Sequence, residues 1–265
     1  MGFVGTSNLE AGRRWGVPTG GTAAHALVMA HRDELSAFRA QVATAGASTT
    51  LLVDTYDLVT GLEHAVTAAG AGLAAVRIDS GDLAEAARTA RTRLDALGAT
   101  STQIVVSGDL DEWRIAALRD APVDRMLVGT ALVGGSGAPT AGFVYKLVAV
   151  ADRPGPDAPL RPVAKSSPDK ATRGGCKVAH RRYDTAGRPV AEVLTLVADP
   201  RRAAPPHRGG TDLRPLQVVL VEDGTVPPAA PGLTEARAHH ARCREELPAT
   251  ALSPEPGAPA FAVTD

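Results

Sequence analysis

Leu73-Ala74-Ala75-Val76-Arg77-Ile78-Asp79-Ser80-Gly81-Asp82-Leu83 carries the pattern that decides the fold of this 265-residue chain. Residues 73–78 are an apolar run of strand length, and residues 83–97 then place apolar side chains at helical spacing. Acidic and small residues fill the handover between them. Arg77 and Asp79 are two apart and so share one face of the strand. A guanidinium beside a carboxylate at a strand tip makes either a structural ion pair or a grip for a carboxylate or phosphate, with the aspartate left for sugar hydroxyls or Mg2+. The ligand role is the one expected here.

The same grammar recurs. Six short apolar runs in the first 133 residues stop at small or acidic clusters: Gly5-Thr6-Ser7-Asn8, Gly21-Thr22 with His25, Asp54-Thr55-Tyr56-Asp57, the Arg77 to Asp82 stretch, Ser107-Gly108-Asp109, and Gly129-Thr130. Residues 49–55, 103–106 and 126–128 read as further strands, and 58–69 as a further helix. Alternation at this period predicts βαβ units and a parallel sheet, apolar on both faces because helices cover both sides. Strand C-termini then converge on one face, which makes the chain readable as an enzyme. Aspartates at a strand-to-helix handover also serve as N-caps, so Asp54, Asp57, Asp79, Asp82 and Asp109 each have a structural alternative. Val128-Gly129-Thr130, with glycines at 134, 135 and 137, is similar to phosphate-holding loops near the last strands of barrels. Nothing in its spacing assigns His25 a role, and no zinc or Ser-His-Asp pattern is present.

Composition narrows the partners. A formal net charge of -1 gives no global field to gather nucleic acid or anionic lipid, so small-ligand chemistry fits better. Cys176 and Cys243 are too few and too far apart for a disulfide framework, which points to a reducing cytoplasm. No apolar stretch approaches the roughly 18 residues of a membrane span. All four lysines, Lys146, Lys165, Lys170 and Lys177, fall within 32 residues of a chain that has 24 arginines. A compact ammonium near phosphate explains that retention, so Lys165 and Lys170 are expected to reach back to the strand-end pocket as phosphate contacts.

The grammar changes near residue 150. Residues 1–150 are expected to form a partial α/β barrel that carries the catalytic site. Residues 151–265 are expected to hold a β-hairpin (177–183 with 190–197), a Pro/Gly-rich linker over 199–232, an amphipathic helix over 233–247 and a poorly ordered tail.

Taken in order, Gly5-Thr6-Ser7-Asn8, Gly21-Thr22-x-x-His25, Leu52 to Asp57, Arg77-Ile78-Asp79-Ser80-Gly81-Asp82-Leu83, Ser107 to Glu112, Val128-Gly129-Thr130 and Tyr145-Lys146-Leu147-Val148 resemble the nicotinate phosphoribosyltransferase family. The resemblance implies an α/β fold, namely an incomplete TIM-like barrel of type II phosphoribosyltransferases with a mostly β appendage. It implies formation of nicotinate mononucleotide from nicotinate and 5-phosphoribosyl 1-diphosphate in NAD biosynthesis, with ATP hydrolysis coupled through a phosphohistidine and Mg2+ on the diphosphate. By position, His25 is the phosphorylated histidine, Thr22 and Arg77 contact nicotinate, and Gly129 and Thr130 hold the phosphoribosyl donor. Asp79, Gly108 and Asp109 line the ribose and Mg2+-diphosphate site; direct metal ligands stay unassigned. By analogy with relatives whose sites lie at subunit contacts, a homodimer is implied.

Two departures from the family pattern stand out. Gly174 occupies a position where the family has proline, which bears on the rigidity of that turn. The chain also starts after the N-terminal domain and the barrel strand with a Glu-Phe-Gly-x-Arg-Arg type motif, whereas a closed eight-stranded barrel takes about 250 residues. Three readings follow: the C-terminal part of a nicotinate phosphoribosyltransferase, a non-catalytic remnant that binds nucleotide or a partner chain, and a barrel acting on nicotinamide or quinolinate.

Overall fold

The computed structural model describes residues 3–135, 143–155, 158–167, 170–198, 212–227, 232–252 and 257–264. The chain divides into two compact units, Met1–Pro154 with Arg161–Gly174, and Gly155–Leu160 with Gly175–Asp265.

The first unit opens with helices α1 (Leu9–Trp15), α2 (His25–Ala30) and α3 (Glu34–Ala45). Strand and helix then alternate through β1 (Thr50–Leu52), α4 (Leu58–Ala69), β2 (Ala75–Ile78), α5 (Leu83–Ala96), β3 (Gln103–Val106), α6 (Glu112–Ala117), β4 (Arg125–Met126) and α7 (Thr130–Gly134). The four strands pair in sequence order and all are parallel, with Thr50 opposite Ala75 and Ala75 opposite Gln103. Parallel neighbours need a crossover, and α4, α5 and α6 provide it. Each of these helices starts on an aspartate. Asp57 accepts the Thr60 N–H, Asp82 those of Ala84 and Glu85, and Asp111 that of Arg114. These side chains satisfy N–H groups that the first helical turn leaves without partners.

Strand alternation separates two faces. Leu51 and Val53, Val76 and Ile78, and Ile104 and Val106 join Phe38 of α3, Leu62 and Ala65 of α4, and Ala87, Ala90 and Leu94 of α5 in one core. Complete burial of each large apolar side chain contributes roughly 1.5–3 kcal/mol, so this helix-side layer is the main source of stability. Leu52, Ala75 and Val105 are buried on the opposite face, outside that core. Arg77 belongs to that second face, at the C-terminal edge of the sheet. The α4 helix sits so close to the end of β1 that a Cβ on Gly61 would stand 2.2 Å from Val53 O.

Three of the six expected strand ends are different. Thr6 makes only an isolated parallel bridge to Thr19, and Asn8 caps α1 by accepting the Ala11 N–H at 2.9 Å. The apolar runs before Gly5 and Gly21 are too short for a ladder, and Pro18 has no N–H to give one. Likewise β4 ends at Met126, and Gly129-Thr130 opens α7 rather than closing a strand. Among the described residues, β5 (Ala149–Ala151) and β6 (Leu160–Pro162) form a small two-stranded sheet.

In the second unit, β7 (Cys176–Tyr183) and β8 (Pro189–Val197) make the antiparallel hairpin, with Cys176 opposite Val197. Asp184 shapes its turn by accepting the N–H groups of Ala186 and Arg188, both at 2.9 Å. Strand β9 (Leu213–Pro215) adds antiparallel to β7, and β10 (Ala262–Thr264) adds parallel to β8. Helix α8 (Leu233–Glu245) has no buried residue, unlike the amphipathic helix expected there. Arginines and histidines at 237, 239, 240, 242 and 244 surround it. Glu246, just beyond its end, accepts from Arg181 at 2.9 Å and also pairs with Arg214. Residues 199–211 and 228–231 of the Pro/Gly-rich stretch, and 253–256 of the tail, lie outside the described residues. Both cysteines are free thiols. Among the described residues, no helix is long and apolar enough to cross a membrane.

Candidate active site

The ends of β1, β2 and β3 are tied by backbone bonds, Val53 N–H to Arg77 O at 3.1 Å and Ser107 N–H to Ile78 O at 3.0 Å, and by side chains. Asp54, just past β1, is 5% exposed and uses one oxygen for two donors. Its Oδ2 accepts the backbone N–H of Asp79 at 2.9 Å and the Ser80 hydroxyl. Its Oδ1 is buried with no hydrogen-bond partner among the described residues. Asp54 and Asp79 are therefore not helix caps, whereas Asp57 and Asp82 are.

Arg77 lies across the same edge. Its Nε donates to Ser107 Oγ at 2.8 Å, Nη1 to Thr22 Oγ1 at 2.6 Å and Nη2 to Asp79 Oδ1 at 2.9 Å. Of the two alternatives raised by the sequence, this geometry shows the structural ion pair. The ion pair with Asp79 exists, yet a guanidinium has five N–H groups and three bonds leave two for a ligand. Ser107 also donates to Asp79 Oδ1 at 2.5 Å. Burial by itself would raise the Asp79 carboxyl. His25 and Ser107 beside it, and the charges of Arg77 and Lys170, outweigh that and hold it well below the usual carboxylate range.

His25 opens α2 and faces this edge. Its Nδ1 is 3.1 Å from Thr55 Oγ1, and its Nε2 is 2.8 Å from Lys165 Nζ, 3.6 Å from Asp79 Oδ2 and 4.0 Å from Asp54 Oδ1. Lys165 arrives on a loop pinned at both ends. Ser166 N–H donates to Thr55 O at 3.1 Å, while Thr172 N–H donates to Lys165 O at 2.9 Å and the Thr172 hydroxyl accepts from Lys165 N–H at 2.9 Å. Lys170 donates to the Asp79 carbonyl and stands 3.4 Å from Asp79 Oδ2. Gly108, at φ 123°, lies under this contact; a Cβ there would stand 2.9 Å from Asp79 O and 3.7 Å from Lys170 Nζ.

Thr22, His25, Arg77, Asp79, Gly108, Lys165 and Lys170 are thus one cluster. The other sequence candidates are not joined to it. Asp109 is exposed with a left-handed φ of 53°, and Gly129 and Thr130 are exposed at the start of α7. No hydrogen bond links these three to the cluster among the described residues. Lys146 and Tyr145 are exposed as well. Three members, Asp54, Thr55 and Ser107, were visible in the sequence only as parts of the strand-end motifs; each touches a residue singled out there.

Residues 1–147 contain β1 to β4 and every member of the cluster except the two lysines, and they match one family profile. This chain belongs to the nicotinate phosphoribosyltransferase (NAPRTase) family. It is 50% identical over 268 residues to nicotinate phosphoribosyltransferase pncB1 of Mycobacterium tuberculosis, covering 98% of this chain and 56% of that protein. It is 40% identical over 190 residues to nicotinate phosphoribosyltransferase of Bacillus subtilis, covering 68% of this chain and 38% of the relative. The chain spans about half the length, or less, of these curated relatives. Among solved structures, nicotinate phosphoribosyltransferase from Porphyromonas gingivalis superimposes with a TM-score of 0.53 over 64% of this chain and 48% of that one, at 22% identity. That likeness supports the α/β fold with its parallel sheet. Within the NAPRTase family assignment, the strand-end cluster is where the chemistry is to be sought.

Proposed function

We propose that this chain carries nicotinate phosphoribosyltransferase chemistry, a step of pyridine nucleotide and NAD biosynthesis. The observation that carries the proposal is the convergence of Arg77, Asp79, His25, Lys165 and Lys170 at adjacent parallel strand ends, in a chain half identical to a relative of that name. On this reading the four sequential parallel strands belong to the TIM-like barrel of type II phosphoribosyltransferases, incomplete in this chain. The free cysteines suit a cytoplasmic enzyme.

The ring nitrogen of nicotinate would form the bond to the ribosyl carbon while the bond to diphosphate breaks and its electron pair leaves with the diphosphate. The two remaining Arg77 N–H groups suit the nicotinate carboxylate, and Thr22 fixes the guanidinium in place. An amide in its place would lack the negative charge and the second acceptor oxygen that a bidentate contact needs. Asp79, held ionised, stabilises positive charge that develops on the ribosyl carbon. Lys170 offers a compact cation next to Asp79 for the departing diphosphate, and Gly108 leaves the space beside it open. Thr130 would hold the donor from the start of α7.

Among the described residues, no group of three or more His, Cys, Asp or Glu side chains is arranged to hold a metal ion. Mg2+ commonly binds through one or two carboxylates plus substrate phosphates, and Asp79 and the unpartnered Asp54 Oδ1 fit that smaller requirement. Bound there, Mg2+ would supply charge to the leaving diphosphate. ATP would supply the phosphoryl group for coupling through His25, with Lys165 and Lys170 as the cations suited to its phosphates.

Incubation of the purified protein with nicotinate and 5-phosphoribosyl 1-diphosphate should release nicotinate mononucleotide and diphosphate, and ATP should stimulate the parent but not His25→Ala. Binding of the diphosphate donor with no product from nicotinate would replace this reading with a nucleotide-binding role.

A further inference from the structure

His25 is held from both ring nitrogens by partners of different kinds. Thr55 Oγ1, at 3.1 Å from Nδ1, is a hydroxyl that can donate or accept. Lys165 Nζ, at 2.8 Å from Nε2, only donates when it is an ammonium. Which nitrogen of an imidazole carries hydrogen is set by what faces the other one.

Nε2 also faces two carboxylates, Asp79 Oδ2 at 3.6 Å and Asp54 Oδ1 at 4.0 Å. With those neighbours alone, the stable arrangement is Nε2–H pointing at Asp79. Lys165 reverses this choice, because an ammonium N–H and an Nε2–H cannot point at each other across 2.8 Å. An amine ordinarily holds a proton about four pH units more tightly than an imidazole, so the hydrogen between them belongs to the lysine. Burial, with Lys165 1% exposed, lowers the lysine from its ordinary range, and the Asp54 and Asp79 carboxylates oppose that shift without cancelling it. The loop contacts at Ser166 and Thr172 leave the side chain little freedom to retreat.

We propose that Lys165 is a positioning residue that fixes His25 as the Nδ1–H tautomer, with Thr55 accepting that hydrogen and Nε2 kept free of hydrogen on the side of the carboxylates. The consequence is chemical: Nε2 is then the nitrogen with a lone pair, available to an incoming proton or electrophile. Its importance for phosphoribosyl transfer rests on the functional reading above, whereas the tautomer itself does not.

Heteronuclear NMR of protein labelled at the imidazole nitrogens tests this without any turnover, with the His25 signals identified by their loss in His25→Gln. At neutral pH the parent should show a hydrogen-bearing Nδ1 and a bare Nε2. Lys165→Met should move the hydrogen to Nε2, and Lys165→Arg, which keeps a donor, should restore the parent pattern. An Nε2–H signal in the parent overturns the proposal even if no variant folds. Retention of the parent pattern in a folded Lys165→Met protein overturns it too, because Thr55 alone would then set the tautomer.

Discussion

Asp54 Oδ2 accepts the backbone N–H of Asp79 at 2.9 Å, so a side chain at the end of β1 sets the position of the main chain at the end of β2. The same oxygen takes the Ser80 hydroxyl. Asp54→Ala removes the acceptor of two donors in a buried place, and each such loss costs about 1–3 kcal/mol. Asp54→Asn is a sharper comparison. Its amide oxygen can keep both bonds if its NH2 takes the place of the unpartnered Oδ1. Denaturant unfolding should therefore show Asp54→Ala less stable than the parent by about 2 kcal/mol or more, and Asp54→Asn by less than half of that. Equal losses would mean that charge, not hydrogen bonding, is the role of Asp54.

The depressed Asp79 carboxyl makes a statement about pH. Burial opposes its charge, but Arg77, Lys170, Ser107 and the neighbouring His25 more than compensate, so its native value lies below that of the unfolded chain. As pH falls below the ordinary carboxylate range near about 4, the unfolded state takes up a proton that the native state refuses. Stability from this group is present above that range and is lost progressively as pH falls from it toward the lower native value. The difference in unfolding free energy between the parent and Asp79→Asn should be constant near neutrality and shrink under acid. A difference that grows on acidification would contradict the assignment.

Some of this site was legible because its causes are local. The α4 helix has both ends written in the sequence, with Asp57 capping Thr60 and Gly70 at φ 78° closing the last turn. Arg77 and Asp79 share a face by strand period alone. Thr55 beside Nδ1 and Lys165 beside Nε2 were not legible, because the lysine lies 140 residues from His25 and a long-range contact leaves no local pattern. Only the confinement of lysines to one segment pointed that way. The misread strand ends at Gly5 and Gly21 have the opposite cause: a Gly-Thr pair closes a loop and a strand with the same residues, and only the length of the preceding apolar run separates them.

Gly61 tests the packing that places β1. Within a helix, Gly→Ala ordinarily gains about 1 kcal/mol. Here the new Cβ would stand 2.2 Å from Val53 O, and that neighbour is backbone that cannot swing away. Overpacking of this kind costs about 1–3 kcal/mol and outweighs the propensity gain. Gly61→Ala should lower the unfolding midpoint and, because Val53 precedes Asp54, also disturb the site. An increase in stability would show that α4 can lift from the sheet without cost.

Arg77→Lys separates substrate recognition from simple charge. A lysine keeps one positive charge, but it cannot donate to Ser107, Thr22 and Asp79 and still present two N–H groups to a ligand. Loss of a bidentate, charge-assisted contact should weaken nicotinate binding by about tenfold or more, equivalent to about 1.4 kcal/mol. Nicotinamide has no carboxylate to lose, so its weaker binding should change less. Calorimetric titration of both ligands against parent and variant, with circular dichroism to confirm that each variant is folded, gives the comparison. If both ligands weaken by the same factor, Arg77 acts through the Asp79 ion pair alone and the nicotinate carboxylate is held elsewhere.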